Sequence, residues 1–132
     1  MPKFSDRSKR ILSTVHPDLQ TLFYHVVKEW DCTVVSGLRT DEEQQALYAK
    51  GRTEDGQIVT YKDGVVNKSK HQLGLAVDVV PYPSLYSDEK IMNDFGLYVL
   101  DVAMDLRQSG KIDSRIVWGG TWNWKDLPHF QI

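Results

Sequence analysis

Cysteine is nearly absent: Cys32 is the only one in 132 residues. An internal disulfide is thereby excluded, and so is a zinc site built on several thiolates. Cys32 stands in the apolar run Cys32-Thr33-Val34-Val35. With nothing nearby to lower its pKa, a buried structural thiol is expected rather than a reactive one. A basic surplus is also missing. Sixteen Lys and Arg stand against 18 Asp and Glu, a formal net charge of −2, and the basic residues are scattered. Neither nucleic acid nor an anionic membrane is therefore an expected partner. No stretch is long and apolar enough to span a bilayer, so no membrane insertion is expected. The opening Met1-Pro2-Lys3-Phe4-Ser5-Asp6-Arg7 has neither the apolar core nor the small-residue cleavage site of a signal peptide, which points to synthesis in a cytoplasm. Repeats, low-complexity tracts and linkers are lacking too.

What is present suits one domain over 1–132. Hydrophobic residues make up 41% and charged residues 26%, and the length suffices to bury a core without metal or disulfide staples. A short helix is expected over Ser5 to Ser13. A second begins at Pro17, a residue suited to a first helical turn. Its apolar stripe of Leu19, Leu22, Phe23, Val26, Val27 and Trp30 repeats at helical spacing. Cys32 to Leu38 reads as a buried strand. Thr40 with Glu43 forms a capping box for a helix over Asp41 to Lys50, closed by Gly51. Gly51 to Lys70 is polar and glycine-bearing, a long loop of the kind that is often functional, with a hairpin suggested at Lys62-Asp63-Gly64. Leu75 to Val80 is a second strand. A long helix follows from Ser87 or Asp88 to Gln108, with Asp101 and Asp105 on its solvent side. Short strands are expected at Ile116 to Trp118 and His129 to Ile132. The fold class is α+β, a small mainly antiparallel sheet with helices packed on it.

Asp78 interrupts an apolar strand. Leu75, Val77 and Val79 share one face; Ala76, Asp78 and Val80 share the other. A carboxylate there is costly unless something pairs with it, and a metal ion is one such partner. Gly74 lets the entering loop bend so that His71 faces the same point. In Asp126-Leu127-Pro128-His129, Pro128 blocks an ordinary ladder, so Asp126 can sit in a bend while His129 ligates. Two imidazoles and one carboxylate with a fourth position open form a catalytic zinc pattern, and Asp126 is placed to act on the water. By spacing alone the rival reading, unliganded core or surface residues, stays open.

The motifs taken together go further. Ser36-Gly37-Leu38-Arg39-Thr40, Gln45 to Thr53, Ser69 to Asp78, Trp118-Gly119-Gly120-Thr121-Trp122 and Asp126 to Phe130 follow one another in order. The chain resembles the LAS family of zinc peptidases, which contains VanY-type D,D-carboxypeptidases, VanX-type dipeptidases and phage L-alanyl-D-glutamate endolysins. The likeness is greatest to the endolysin catalytic domain and covers about residues 30 to 132. The resemblance implies Zn2+ held by His71, Asp78 and His129, Asp126 as catalytic base, and Arg39 on the scissile carbonyl oxygen. Pro128 stands where some VanY-like and VanX-like members have tryptophan, which favours the endolysin branch.

The expected function is therefore a peptidoglycan stem-peptide endopeptidase, cutting between L-Ala and D-Glu by zinc-assisted hydrolysis. The rivals are a D,D-carboxypeptidase that trims terminal D-Ala and a metal-bearing module that grips wall peptides without cutting. Ser69, Gln45 and Trp122 are the candidates for substrate contact. Ser69 equally suits a turn that orients the ligand loop, and Gln45 a solvated helix face. Trp118, Trp122 and Trp124 suit either core packing or a groove wall, with Trp118 assigned to the core. His16 and His25 are assigned no function. A monomer is expected that reaches the wall through a phage holin. The chain ends three residues after His129, so a wall-binding domain is not expected, as in phages of Gram-negative hosts.

Overall fold

Helical stripes build most of the core. The computed structural model describes residues 2–83 and 88–132. Helix α1 spans Asp6–Leu12, and the Ser5 hydroxyl caps it by accepting from the Ser8 amide. Helix α2 spans Pro17–Glu29; the His16 ring nitrogen Nδ1 accepts from the Asp18 amide at 3.0 Å, a capping role that gives this histidine its place. Leu19, Leu22, Phe23, Val26 and Val27 of α2 are all buried, as their period requires. Helix α3, Asp41–Ala49, carries the expected capping box between Thr40 and Glu43. Helix α4, Glu89–Gln108, is capped by Asp88; the alternative start at Ser87 lies outside the described residues. Met92, Phe95, Val99, Ala103 and Leu106 give α4 its buried face. Among the described residues no helix is long and apolar enough to cross a membrane.

Among the described residues four strands form an antiparallel sheet in the order β1-β2-β4-β3: β1 Cys32–Ser36, β2 Ala76–Pro81, β3 Val117–Trp118 and β4 His129–Gln131. The fold is the expected α+β. The first strand is shorter than its apolar run. Leu38 and Arg39 leave the ladder because their amides are taken by the Thr14 hydroxyl and the His71 carbonyl. The register also slips between Val34 and Ser36, a bulge beside the functional face. Val34, Val77, Val79 and Phe130 turn into a core shared with α1, α2 and α4, while Cys32 is buried there and desolvation raises its thiol pKa. No hairpin forms at Lys62-Asp63-Gly64. Instead one Asp63 carboxylate oxygen accepts from the amides of Val65, Val66 and Asn67, a local solution that competes with strand pairing.

Asp18 ties α2 to the approach of β3. Its carboxylate accepts from the Ser114 hydroxyl and the amides of Ser114 and Asp113. The Ser114 hydroxyl is the main cause holding Asp18 below the ordinary carboxylate range; burial opposes it, and both backbone amides and His16 assist. A depressed pKa stabilises the fold above the unfolded value and loses that contribution as pH falls through the folded one. Asp18→Ala should therefore cost about 1 kcal/mol at neutral pH after allowance for solvent screening, roughly 4 °C in Tm. Melting curves should show this gap narrowing once the pH drops below the ordinary carboxylate range.

Candidate metal centre and its cleft

The pairing of β2 with β4 sets Asp78 opposite His129, while their neighbours Val77 and Phe130 pair and point into the core. His71 comes from the 3-10 turn Lys70–Leu73, which Ser69 caps by accepting from the His71 amide. The turn ends at Gly74 with φ of 70°, a left-handed conformation that swings the chain into β2. The three side chains converge. Asp78 Oδ1 lies 3.4 Å from His71 Nε2 and 3.3 Å from His129 Nδ1.

Each imidazole has its far nitrogen committed elsewhere. His71 Nδ1 lies 2.9 Å from the Gly37 carbonyl, which can only accept, so this nitrogen carries the proton. His129 Nε2 lies 2.8 Å from Gln131 Oε1 and donates likewise. In their neutral forms both rings then aim lone pairs at the Asp78 oxygen. That oxygen is buried and is the only such side-chain atom without a hydrogen-bond partner among the described residues. Three acceptors facing one another require a cation or added protons between them. The residues thus fit a divalent metal: two imidazoles and a carboxylate, with ligand atoms all within 4.8 Å of one another, and outer partners that fix each ring's tautomer.

Charge around the cluster is graded. Burial would raise the Asp78 carboxyl, but His129 and His71 overturn this and hold it well below the usual range. Burial would lower His129; Asp78, with Gln131 and Asp126, raises it instead. Asp126 is pushed up, first by burial and then by the Asp78 carboxylate, against the pull of His129, His71 and Arg39. Its Oδ2 sits 3.8 Å from His129 Nδ1. Burial presses the Arg39 guanidinium down, opposed by Asp78, Glu43 and Asp126; an arginine remains cationic nonetheless.

Arg39, Ser69, His71, Asp78, Trp122, Asp126 and His129 all border one cleft of about 360 Å³. Trp122 packs its ring on His129 at 5.1 Å between centroids. Trp118 is a core residue, stacked on Phe130, and its indole N–H holds the Leu127 carbonyl at 2.7 Å between Asp126 and His129. Gly119 brings Asp126 close, since a Cβ there would meet the Asp126 carbonyl oxygen at 2.3 Å. Of the two readings given for Gln45, the solvated helix face agrees with its position. Gln45 is exposed on α3 and is not part of the cleft wall; its neighbour Gln44 is fully buried and turned inward. Val59 to Lys62 of the long loop, not singled out in the sequence, also face the cleft, as does Trp124, for which a groove wall was one of two readings and whose ring meets Tyr61 edge-on at 5.7 Å. Their exposure, 55% for Trp124 and 63% for Tyr61, marks them as a rim.

A buried two-histidine, one-carboxylate cluster, with a separate raised acid and an arginine in the same cleft, has the make-up of a metal-dependent hydrolase centre. Comparison with known proteins agrees. Residues 1–131 match the family model of the phage L-alanyl-D-glutamate peptidases, and the chain belongs to that family. It is 34% identical over 113 residues to the peptidoglycan L-alanyl-D-glutamate endopeptidase CwlK of Bacillus subtilis, a match spanning 77% of this chain and 60% of that protein. It is 30% identical to the L-alanyl-D-glutamate peptidase of Escherichia phage T5, over 98% of this chain and 88% of the relative. The crystal structure of the L-Ala D-Glu endopeptidase ChiX of Serratia marcescens superposes with a TM-score of 0.70 at 27% identity, covering 99% and 90% of the two chains.

Protons and a metal compete for the inward nitrogens, and the raised His129 strengthens the proton's hand. Zinc titrated into metal-free protein should bind with one ion per chain, release protons in weak buffer, and bind less tightly as pH falls below neutrality. Calorimetry in buffers of different ionisation enthalpy reads this, and His129→Ala should abolish tight binding. Gly119→Ala should displace Asp126 and lower turnover while leaving the bound zinc in place, a split that metal analysis beside kinetics will reveal.

Proposed function

We propose that this chain is a zinc-dependent endopeptidase that cuts the L-Ala-D-Glu bond in the stem peptides of peptidoglycan. The observation that carries the reading is the convergence of His71, Asp78 and His129 on one point of a cleft that also holds Asp126 and Arg39. Membership of the family supplies the bond; the relatives described above are L-alanyl-D-glutamate peptidases by name.

His71, Asp78 and His129 would hold the ion. When bound, zinc lowers the pKa of water toward neutrality and polarises a carbonyl. The remaining work falls to the protein. Asp126, beside His129 and half-buried, takes the proton of the attacking water, and its raised pKa suits both this and the later donation. As the water oxygen bonds to the L-Ala carbonyl carbon, negative charge grows on the carbonyl oxygen. Arg39 meets that charge with a guanidinium in a partly desolvated wall, where such a contact is strongest. Asp126 then returns the proton to the amide nitrogen of D-Glu as the C–N bond breaks. Ser69 and Trp122 border the same space and would touch the peptide there.

The whole of 1–132 would act as a single catalytic domain and monomer. Its site of action would be the wall, reached from the cytoplasm with the help of a holin.

Purified sacculi digested with the zinc-loaded protein should yield glycan strands that keep L-Ala, with fragments that begin at D-Glu. Mass spectrometry reads both ends; free D-Ala in their place would make it a D,D-carboxypeptidase, and uncut stems would sink the proposal. Asp126→Asn should keep its zinc and lose on the order of 10²–10⁴ in kcat. Wild-type protein that binds wall peptide without cutting it would instead mark a binding module.

A further inference from the structure

Gln44 takes no part in the reaction outlined above, yet it is a polar side chain with no exposed surface at all. Every polar atom of its amide is used. Oε1 accepts from Arg39 Nη1 at 2.6 Å. Nε2 donates to the Lys62 carbonyl at 2.7 Å and to the Thr60 hydroxyl oxygen at 3.2 Å. The orientation of the amide has one solution. A guanidinium only donates and a backbone carbonyl only accepts, so reversing the amide would set donor against donor and acceptor against acceptor. The arrangement is also confined sterically, because a Cβ at Gly64 would lie 2.9 Å from Gln44 Cγ.

We infer that Gln44 is a positioning residue that fixes the Arg39 guanidinium, using the cleft wall at Thr60 and Lys62 as its own anchor. This rests on the hydrolase reading of the site. Arginine has several rotatable bonds, and its charge helps a developing oxyanion only if the fork is already aimed there. The Arg39 backbone is held by the His71 carbonyl. Among the described residues, the Gln44 amide makes the one side-chain hydrogen bond that holds the guanidinium. Gln44 therefore ties the cation to the wall across which substrate must lie, so cation and wall keep a fixed spacing. Gln44 is kept from substrate by its burial and acts only through Arg39.

The test is a double-mutant cycle on the zinc-loaded full chain with a soluble stem peptide. Gln44→Met keeps the length and removes the amide. Its kcat should fall about 10- to 100-fold, with KM changed less than about threefold and one zinc retained. Arg39→Ala should be slow, and the Arg39→Ala/Gln44→Met double variant should be no slower, since the two losses are one loss. Gln44→Glu, which keeps an acceptor for Arg39, should stay well above Gln44→Met in kcat. The Arg39 side-chain N–H resonances should shift or broaden in Gln44→Met and not in a Thr21→Ala control. Multiplying losses in the double variant, unchanged kcat in Gln44→Met, or Gln44→Glu as slow as Gln44→Met would each overturn the inference. If Gln44→Met does not fold, Gln44→Leu takes its place in the cycle, a non-additive loss with Arg39→Ala supporting the inference and multiplying losses overturning it. A wild-type chain that cuts no peptide would fail the hydrolase reading itself, whereas the arginine resonances report on the Gln44 contact without turnover.

Discussion

Three electron-rich atoms, Asp78 Oδ1, His71 Nε2 and His129 Nδ1, are forced toward one another inside the protein. Among the described residues nothing relieves that repulsion, because the imidazole N–H groups are spent on Gly37 and Gln131. A structure tolerates such a focus only when something positive completes it. Much of the surrounding architecture reads as the means of holding these atoms together. Strand pairing sets two of them side by side, a capped turn delivers the third, and the bulge in β1 lies next to where the Gly37 carbonyl must reach.

The same logic explains the division of the sheet. Along β2 and β4 one face is apolar and packed in the core, while the other carries Asp78 and His129 at the cleft, with Ala76 and Val80 also buried on that side. The cleft walls come from segments with little regular structure, residues 59–62 and 122–126. Their order is borrowed from specific hydrogen bonds, of which the Trp118 indole on Leu127 and the Gln44 amide on Lys62 are the plainest. Loops that carry function on a rigid scaffold usually need ties of this kind.

The helices and the acid of the His-Asp-His cluster were legible in the sequence because each leaves a local mark. Apolar spacing shows α2, a Thr40–Glu43 pair shows α3, and an acid within Ala76 to Val80 shows the functional face of β2. The outer partners leave no such mark. That Gly37 would accept from His71 depends on 34 residues of intervening fold. Gln45 and Gln44 are adjacent and chemically identical, and α3 carries only a faint apolar pattern. The helpful signal was the stripe Gln44, Leu47, Tyr48, which shares one helical face and leaves Gln45 outside it. The long loop misled for a related reason: a turn-forming Asp-Gly pair suggests a hairpin, but Asp63 satisfied the chain locally instead.

Phe130 follows His129 and is wholly buried among Phe23, Phe95 and Trp118. The strand that brings the last ligand is thus moored from behind by aromatic packing, independent of whatever occupies the front. Loosening that aromatic packing would therefore unsettle His129 from the core side without touching the partner of its ring.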